Sequence, residues 1–300
     1  MEITNQPRVL IVILNYNTFQ LTLSLIKELG ALQYAPFDIM VVDNCSRNES
    51  AQVLEEHAAE MGYLFYANKV NSGYAAGNNI GIRYGIEHGY AYSWILNNDV
   101  KLRDLNVLEH MVHIAQQHPE IGCVGPKIYS RDGSICSPYC RRPSLWDTTF
   151  GIFADKKYRV SQNDISQKVY RVYGCCMLLK NSTMAEIDCM DEATFLYGEE
   201  LILAERMLAV NSVAYYDAEV AVTHNESSSM ATMDAAQRNR VGKISEESRE
   251  IYLKKYRHFG FFKRCLWQMA KRTLSYAKAR VSYRNSVRKH FRGRINTNGK

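Results

Sequence analysis

Apolar residues in the first half of the chain fall into short continuous runs separated by stretches of helical period. Residues 8–14, RVLIVIL, form an unbroken β-branched run, the pattern of a strand covered on both faces. Thr18 then caps a predicted helix that places Leu21, Leu25 and Leu29 on one side. Residues 38–43, DIMVVD, are a second buried strand, and a helix follows over 49–61. GYLFYAN is a third strand. Residues 74–88 form a helix entered through a Gly-rich loop. The fourth strand covers 92–96, a helix covers 105–117, and a fifth strand covers 121–129. Strands spaced by helices imply a mostly parallel α/β sheet with helices on both faces.

The second half is less regular. Residues 130–168 lack periodicity and mix Pro138, Pro143, Trp146, Phe150 and Phe153 with Arg141, Arg142, Lys156 and Lys157. They are expected to form a substrate-covering loop region. A strand is expected over 170–180, a helix from Glu199–Glu200 to about Leu208, and a short strand over 218–223. In residues 261–277, Phe262, Cys265, Leu266, Met269, Thr273, Tyr276 and Ala277 share one helical face, with basic residues around the rest. That pattern breaks at Arg280, and the end from Arg292 reads as disordered. The divisions are 1–129, 130–258 and a tail, 259–300.

Composition narrows the class. Of 300 residues, 46% are apolar and 23% charged, which is ordinary for a globular chain. The first residues, MEITNQPR, are polar, the run from Val9 to Leu14 is too short for a signal core, and no run approaches the roughly 20 apolar residues of a membrane span. A cytoplasmic protein is expected. The eight cysteines show no paired zinc spacing, so they read as free thiols. Of the 37 Lys and Arg, 15 lie beyond residue 250, with none of the 31 acids; the first 250 residues therefore hold 22 basic against 31 acidic groups. An acidic body with a basic tail fits a phosphate-bearing partner. The amphipathic pattern favours an anionic membrane surface over nucleic acid.

Candidate chemistry collects at the predicted strand ends. Asn15-Tyr16-Asn17-Thr18 follows strand one, Asp43-Asn44-Cys45-Ser46 strand two, Asn68 through Asn79 strand three, and Asn97-Asn98-Asp99 strand four. Each alone is ordinary turn chemistry. Four at the carboxyl edge of one parallel sheet build a single polar crevice, where α/β sheets bind ligands. Gly73 and Gly77 would let backbone approach a ligand, and the helix start near Tyr74 offers amides to phosphate. The glycine spacing is not the dinucleotide fingerprint.

The segments ILNYNT, VVDNCS, NSGYAAGNNIGI and ILNNDV, followed by VYGCCMLLK and MDEATFLYGEELILAERM, resemble family 2 glycosyltransferases with the GT-A fold. The resemblance spans about 8–260 and is nearest to rhamnosyltransferase-type enzymes of bacterial surface polysaccharide assembly. It implies a UDP- or dTDP-sugar donor bound by Asn15, Asn17, Asp43, Asn71, Gly73, Asn78, Asn98 and Asp99. It implies Asp99 as the ligand of a divalent metal, Mn²⁺ or Mg²⁺, that bridges the diphosphate. His224 would be a second metal or diphosphate ligand. Glu200 would be the base that deprotonates the acceptor hydroxyl, with Glu199 and Arg206 shaping the acceptor site. The acceptor would be a glycan on a polyprenyl diphosphate at the inner face of the cell membrane. The chain departs from the pattern at Glu200, where relatives carry the shorter Asp, and at Ile202, where they often carry a second Asp. Those departures keep an inactive nucleotide-sugar binder open as an alternative. A sugar-phosphate nucleotidyltransferase is a second one, although Asn15-Tyr16-Asn17 lacks its Gly-rich signature. Self-association is also open.

Overall fold

The computed structural model describes residues 6–144, 147, 163–225, 234–270 and 273. Among the described residues nine strands build one mixed sheet: β1 Val9–Asn15, β2 Phe37–Asp43, β3 Leu64–Ala67, β4 Tyr92–Leu96, β5 Val100–Leu102, β6 Ile121–Ser130, β7 Gln167–Val169, β8 Cys176–Lys180 and β9 Val213–His224. The strand order is β3-β2-β1-β4-β8-β6-β9-β5, and β7 pairs with β9. β3, β2, β1 and β4 run parallel, which brings their carboxyl ends to one edge. β8 enters antiparallel between β4 and β6.

The helices are α1 Phe19–Leu29, α2 Ser50–Met61, α3 Tyr74–Glu87, α4 Val107–Gln117, α5 Asn181–Glu186, α6 Glu199–Ala209 and α7 Ala235–Ile251. A π-helical turn, Tyr252–Tyr256, follows α7. Alternate residues of β1 feed two cores because successive side chains of a strand point to opposite faces. Val9, Ile11 and Ile13 pack with Leu25, Leu54, Met111 and Val112. Leu10 and Val12 pack with Ile82, Met184 and Leu203. All five of these β1 side chains are fully buried, which explains the unbroken apolar run. A smaller cluster joins Ile202 of α6 to Tyr252, Leu253 and Trp267.

Three elements differ from the expectations. Of the strand expected over 170–180 only β8, Cys176–Lys180, forms, and β7, Gln167–Val169, lies before that span. Between them Gly174 sits in a turn whose Cβ space is filled by the Glu200 carboxylate. The strand expected over 218–223 is the end of the much longer β9, whose register on β6 shifts after Pro126. β5, only three residues long, has no periodicity to announce it.

The cysteines are free thiols, as composition indicated, with Cys123, Cys175, Cys176 and Cys189 buried. Residues 261–270 are helical. The expected break at Arg280, the disordered end from Arg292 and most of the expected loop region between 145 and 162 lie outside the described residues. Among the described residues, no helix is long and apolar enough to cross a membrane.

Candidate active site

The strand-end polar residues form one connected network. Asn15, at the end of β1, is buried and donates through Nδ2 to Asp43 Oδ1 at 2.8 Å. Its Oδ1 accepts from Thr22 Oγ1 at 2.9 Å. Asp43 also accepts from Ser46, whose Oγ lies 2.6 Å from Oδ1 and whose backbone N lies 2.9 Å from Oδ2. Asn17 sits in the left-handed region at φ 59° and bridges to the β2 loop, its Oδ1 accepting from Arg47 N at 2.7 Å. Asn98 Nδ2 donates to Thr18 and Thr22 at 2.8 and 2.9 Å. Asn15, Asp43 and Asn98 therefore hold the ends of β1, β2 and β4 in fixed relation. A buried polar group needs such partners to offset lost hydration.

The Gly-rich loop is tied down in the same way. Asn71 Oδ1 accepts from Asn44 Nδ2 at 3.0 Å and from Gly73 N at 3.1 Å. Gly73 has φ 101°, and a Cβ there would lie 2.3 Å from the Phe195 carbonyl oxygen. Its lack of a side chain thus admits the Phe195 backbone, and the first amide of α3, Tyr74 N, donates to that same oxygen at 2.8 Å. Gly77 admits Leu14 of β1. Asn78 is fully buried; its Nδ2 donates to Tyr74 O at 3.0 Å, while its Oδ1 has no hydrogen-bond partner.

Asp99 follows directly on this edge. β5 pairs antiparallel with β9, setting Val100 opposite His224. The pairing brings Asp99 Oδ1 to 3.2 Å from His224 Nε2, and both side chains are largely buried. A carboxylate and an imidazole set together at one cavity suit a divalent cation that draws its remaining ligands from phosphate and water. Asp99 and His224 are thus the residues that would hold such an ion. No group of three His, Cys, Asp or Glu capable of holding a metal occurs among the described residues.

The carboxylate pair faces the same space. Glu199 and Glu200 open α6, just after Tyr197 and Gly198, whose φ angles are 70° and 87°. Positive φ at a bulky tyrosine is strained backbone of the kind that clusters at functional sites. Glu200 Oε1 accepts from Gly174 N at 3.1 Å. Glu199 is buried and its Oε1 has no hydrogen-bond partner. Burial, then the charge of Glu200, pushes the Glu199 carboxyl up to about 8. Tyr74 OH lies 2.7 Å from Gly174 O and 3.1 Å from Asn97 Oδ1, linking the end of β4 to the turn that holds Glu200. Its burial, with both glutamates nearby, raises the phenol well above its usual range, so it remains a donor.

A cavity of about 530 Å³ is lined by Asp99, His224, Glu199, Glu200 and Tyr74 together with Tyr139, Arg171, Tyr173, Tyr197 and Arg249. Arg206 lies outside this lining. Its guanidinium donates to the carbonyls of Ile187 and Asp188 and to Tyr256 OH, clamping α6 to the turn before it and to the π-helical turn. Sequence reasoning missed Tyr74, Tyr139, Arg171, Tyr173 and Arg249. Tyr74 stood inside NSGYAAG and Tyr173 inside VYGCCMLLK with their rings unremarked; Tyr139, Arg171 and Arg249 carry no local signal, because they come from irregular segments and from α7.

A mixed sheet whose β3, β2, β1 and β4 run parallel, flanked by helices and carrying hydrogen-bonded polar residues at those strand ends, is an α/β architecture of the GT-A class. The chain belongs to glycosyl transferase family 2, whose sequence model matches residues 10–186. It is 24% identical over 192 residues to the low-salt glycan biosynthesis hexosyltransferase Agl10 of Haloferax volcanii, covering 64% of this chain and 58% of that protein. It is 23% identical over 211 residues to the N-acetylglucosaminyl-diphospho-decaprenol L-rhamnosyltransferase of Mycobacterium tuberculosis, covering 65% of this chain and 68% of that one. The matched region thus spans about three-fifths to two-thirds of these relatives. Among solved structures it is similar to S. aureus TarS 1-349 in complex with UDP, with TM-score 0.55, 13% identity, and coverage of 88% of this chain and 78% of that one. It is also similar to GalNAc-T7 with UDP, GalNAc and Mn²⁺, with TM-score 0.54, 14% identity, and coverage of 74% and 44%. At these identities the structural likeness speaks to the fold.

Proposed function

We propose that the protein is an inverting glycosyltransferase that moves a hexosyl or deoxyhexosyl group from a UDP- or dTDP-sugar to a lipid-linked glycan during bacterial polysaccharide assembly. One observation carries the reading: the Asp99–His224 pair and the Glu199–Glu200 pair line the same cavity at the strand ends. A divalent cation held by Asp99 and His224 would neutralise charge on the departing diphosphate. Glu200 takes the proton of the acceptor hydroxyl as that oxygen bonds to the anomeric carbon and the bond from that carbon to the diphosphate breaks. Attack from the face opposite the nucleotide inverts the centre. Gly174 N–H holds the Glu200 carboxylate in place.

The donor and acceptor classes draw support from relatives. TarS and GalNAc-T7 are described with UDP, and the mycobacterial relative is named for a diphospho-decaprenol acceptor. The absence of acids beyond residue 250 supports work at an anionic membrane surface, on the cytoplasmic side where nucleotide-sugars are made. A thermal-shift panel of UDP- and dTDP-sugars with Mn²⁺, followed by transfer assays on a polyprenyl-diphosphate saccharide, tests the reading. Stabilisation by one donor and turnover with inversion are expected. Donor binding without turnover on any such acceptor would favour the inactive binder; no nucleotide binding at all would overturn both.

A further inference from the structure

The helix over 261–270 presents two unlike faces. On its inner side Trp267 is 3% exposed and packs with Ile202, Tyr252 and Leu253. Arg264 Nη1 lies 3.2 Å from Glu250 Oε1, pinning the helix to the end of α7. On its outer side Phe262 is 86% exposed, Leu266 52% and Met269 67%. At about 100° per residue these three fall within roughly 60° of one another, and Trp267 projects well away from them. Phe261, also exposed, flanks the stripe.

A helix packed on its domain ordinarily turns polar side chains to water. Here the packing face and the water-facing face are both apolar, and a contiguous exposed apolar surface marks an interaction site. Charge indicates the partner. The segment from Ile251 onward holds 15 Lys and Arg and no acid, which repels a basic partner and favours a surface of phosphates. Phenylalanine, leucine and methionine on one face with basic residues alongside is the arrangement of a helix lying in a bilayer interface.

We propose that the outward stripe Phe262–Leu266–Met269 inserts among the headgroups of an anionic bilayer, with the surrounding Lys and Arg engaging lipid phosphates. The inner face gives this docking a consequence for the cavity. Trp267 belongs to the same buried cluster as Ile202, two residues beyond Glu200 on α6. The helix therefore fixes the attitude of the carboxylate pair relative to the membrane plane. Only that consequence rests on the transferase reading; the docking surface stands without it.

The test uses the full chain and phosphatidylcholine vesicles with and without phosphatidylglycerol, read by flotation. Wild-type protein is expected to float with the anionic vesicles, less so as salt rises. The triple variant F262S/L266S/M269S should lose at least about tenfold in partitioning, since each substitution removes an inserted apolar side chain. Its Mn²⁺–UDP binding, measured in parallel, should match wild type and shows that the cavity is intact. In a separate variant, Phe262→Trp, fluorescence should be quenched by brominated lipid. Equal flotation of wild type and triple variant would overturn the stripe as the inserting element. Absence of flotation in both, with a wild-type dimer that the triple variant dissolves in sedimentation, would reassign the stripe to a second copy of the chain and overturn the membrane proposal.

Discussion

Asp99 Oδ1 stands 3.2 Å from His224 Nε2 because a three-residue strand, β5, pairs with the last residues of β9. Asp99 lies in the turn before β5 and His224 is the last residue of the twelve-residue β9, and the pairing aligns carboxylate and imidazole at the cavity. Asp99→Asn and His224→Ala should each lower metal-dependent UDP affinity by about tenfold or more, in line with the loss of a ligand or its orienting partner. Titration calorimetry with and without Mn²⁺ checks this. Metal-dependent affinity that survives both substitutions would place the cation elsewhere.

In the proposed mechanism Glu200 acts on the acceptor and not on the nucleotide. Glu200→Gln should therefore cut turnover by about 10²–10⁴-fold and leave donor affinity close to wild type. Glu199→Gln should retain transfer, because the buried acid is already held protonated near neutral pH. A dead Glu199→Gln beside an active Glu200→Gln would exchange the two roles.

Gly174 and Glu200 are a fitted pair. A Cβ at Gly174 would lie 2.5 Å from Glu200 Oε1. Gly174→Ala should displace the carboxylate and reduce kcat with little change in donor binding. The double variant Gly174→Ala with Glu200→Asp should recover part of the loss, because the shorter side chain vacates the clashing space. A double variant no better than Gly174→Ala alone would show that the alanine harms the turn and not the carboxylate.

Glu199 also carries a pH signature in stability. Its folded pKa of about 8 lies above the ordinary value of 4.5. The folded state thus holds a proton that the unfolded chain releases, so the contribution is fully present below pH ~4.5 and is lost as pH rises toward about 8. Glu199→Gln keeps a neutral side chain at every pH. Its Tm relative to wild type should therefore climb between pH 5 and 9. A constant difference across that range, read by calorimetry, would mean that Glu199 ionises as an exposed carboxyl does.

Much of the fold could be read from the chain. Residues 9–14 and 39–42 are apolar throughout because both faces of β1 and β2 are covered, and that demand is local to each strand. The polar segments after β1 to β4 were legible for a similar reason. Turn residues announce themselves, and parallel order alone gathers their positions at one edge. Asp99 and Glu200 were visible as residues, although not their surroundings. β5 and the gap between β7 and β8 were not legible. A three-residue strand has no period to detect, and the turn at Gly174 exists to accommodate a side chain from α6.

The sequence by itself determined the α/β alternation, the crevice edge and the charge division between body and tail. Each depends on neighbours in the chain, such as period, turn propensity or composition. Only the tertiary structure decided which distant residues meet. Asp99 finds His224, Glu200 finds Gly174, and Tyr74 spans Asn97 and Gly174, through strand pairings and packing that no local pattern encodes. It also decided the sense of the tail helix. Periodicity shows that Phe262, Leu266 and Met269 share a face, but a helix with two apolar faces can bury either. Trp267 joins the buried cluster of Ile202, Tyr252 and Leu253, and with that face buried the other three side chains are left outward.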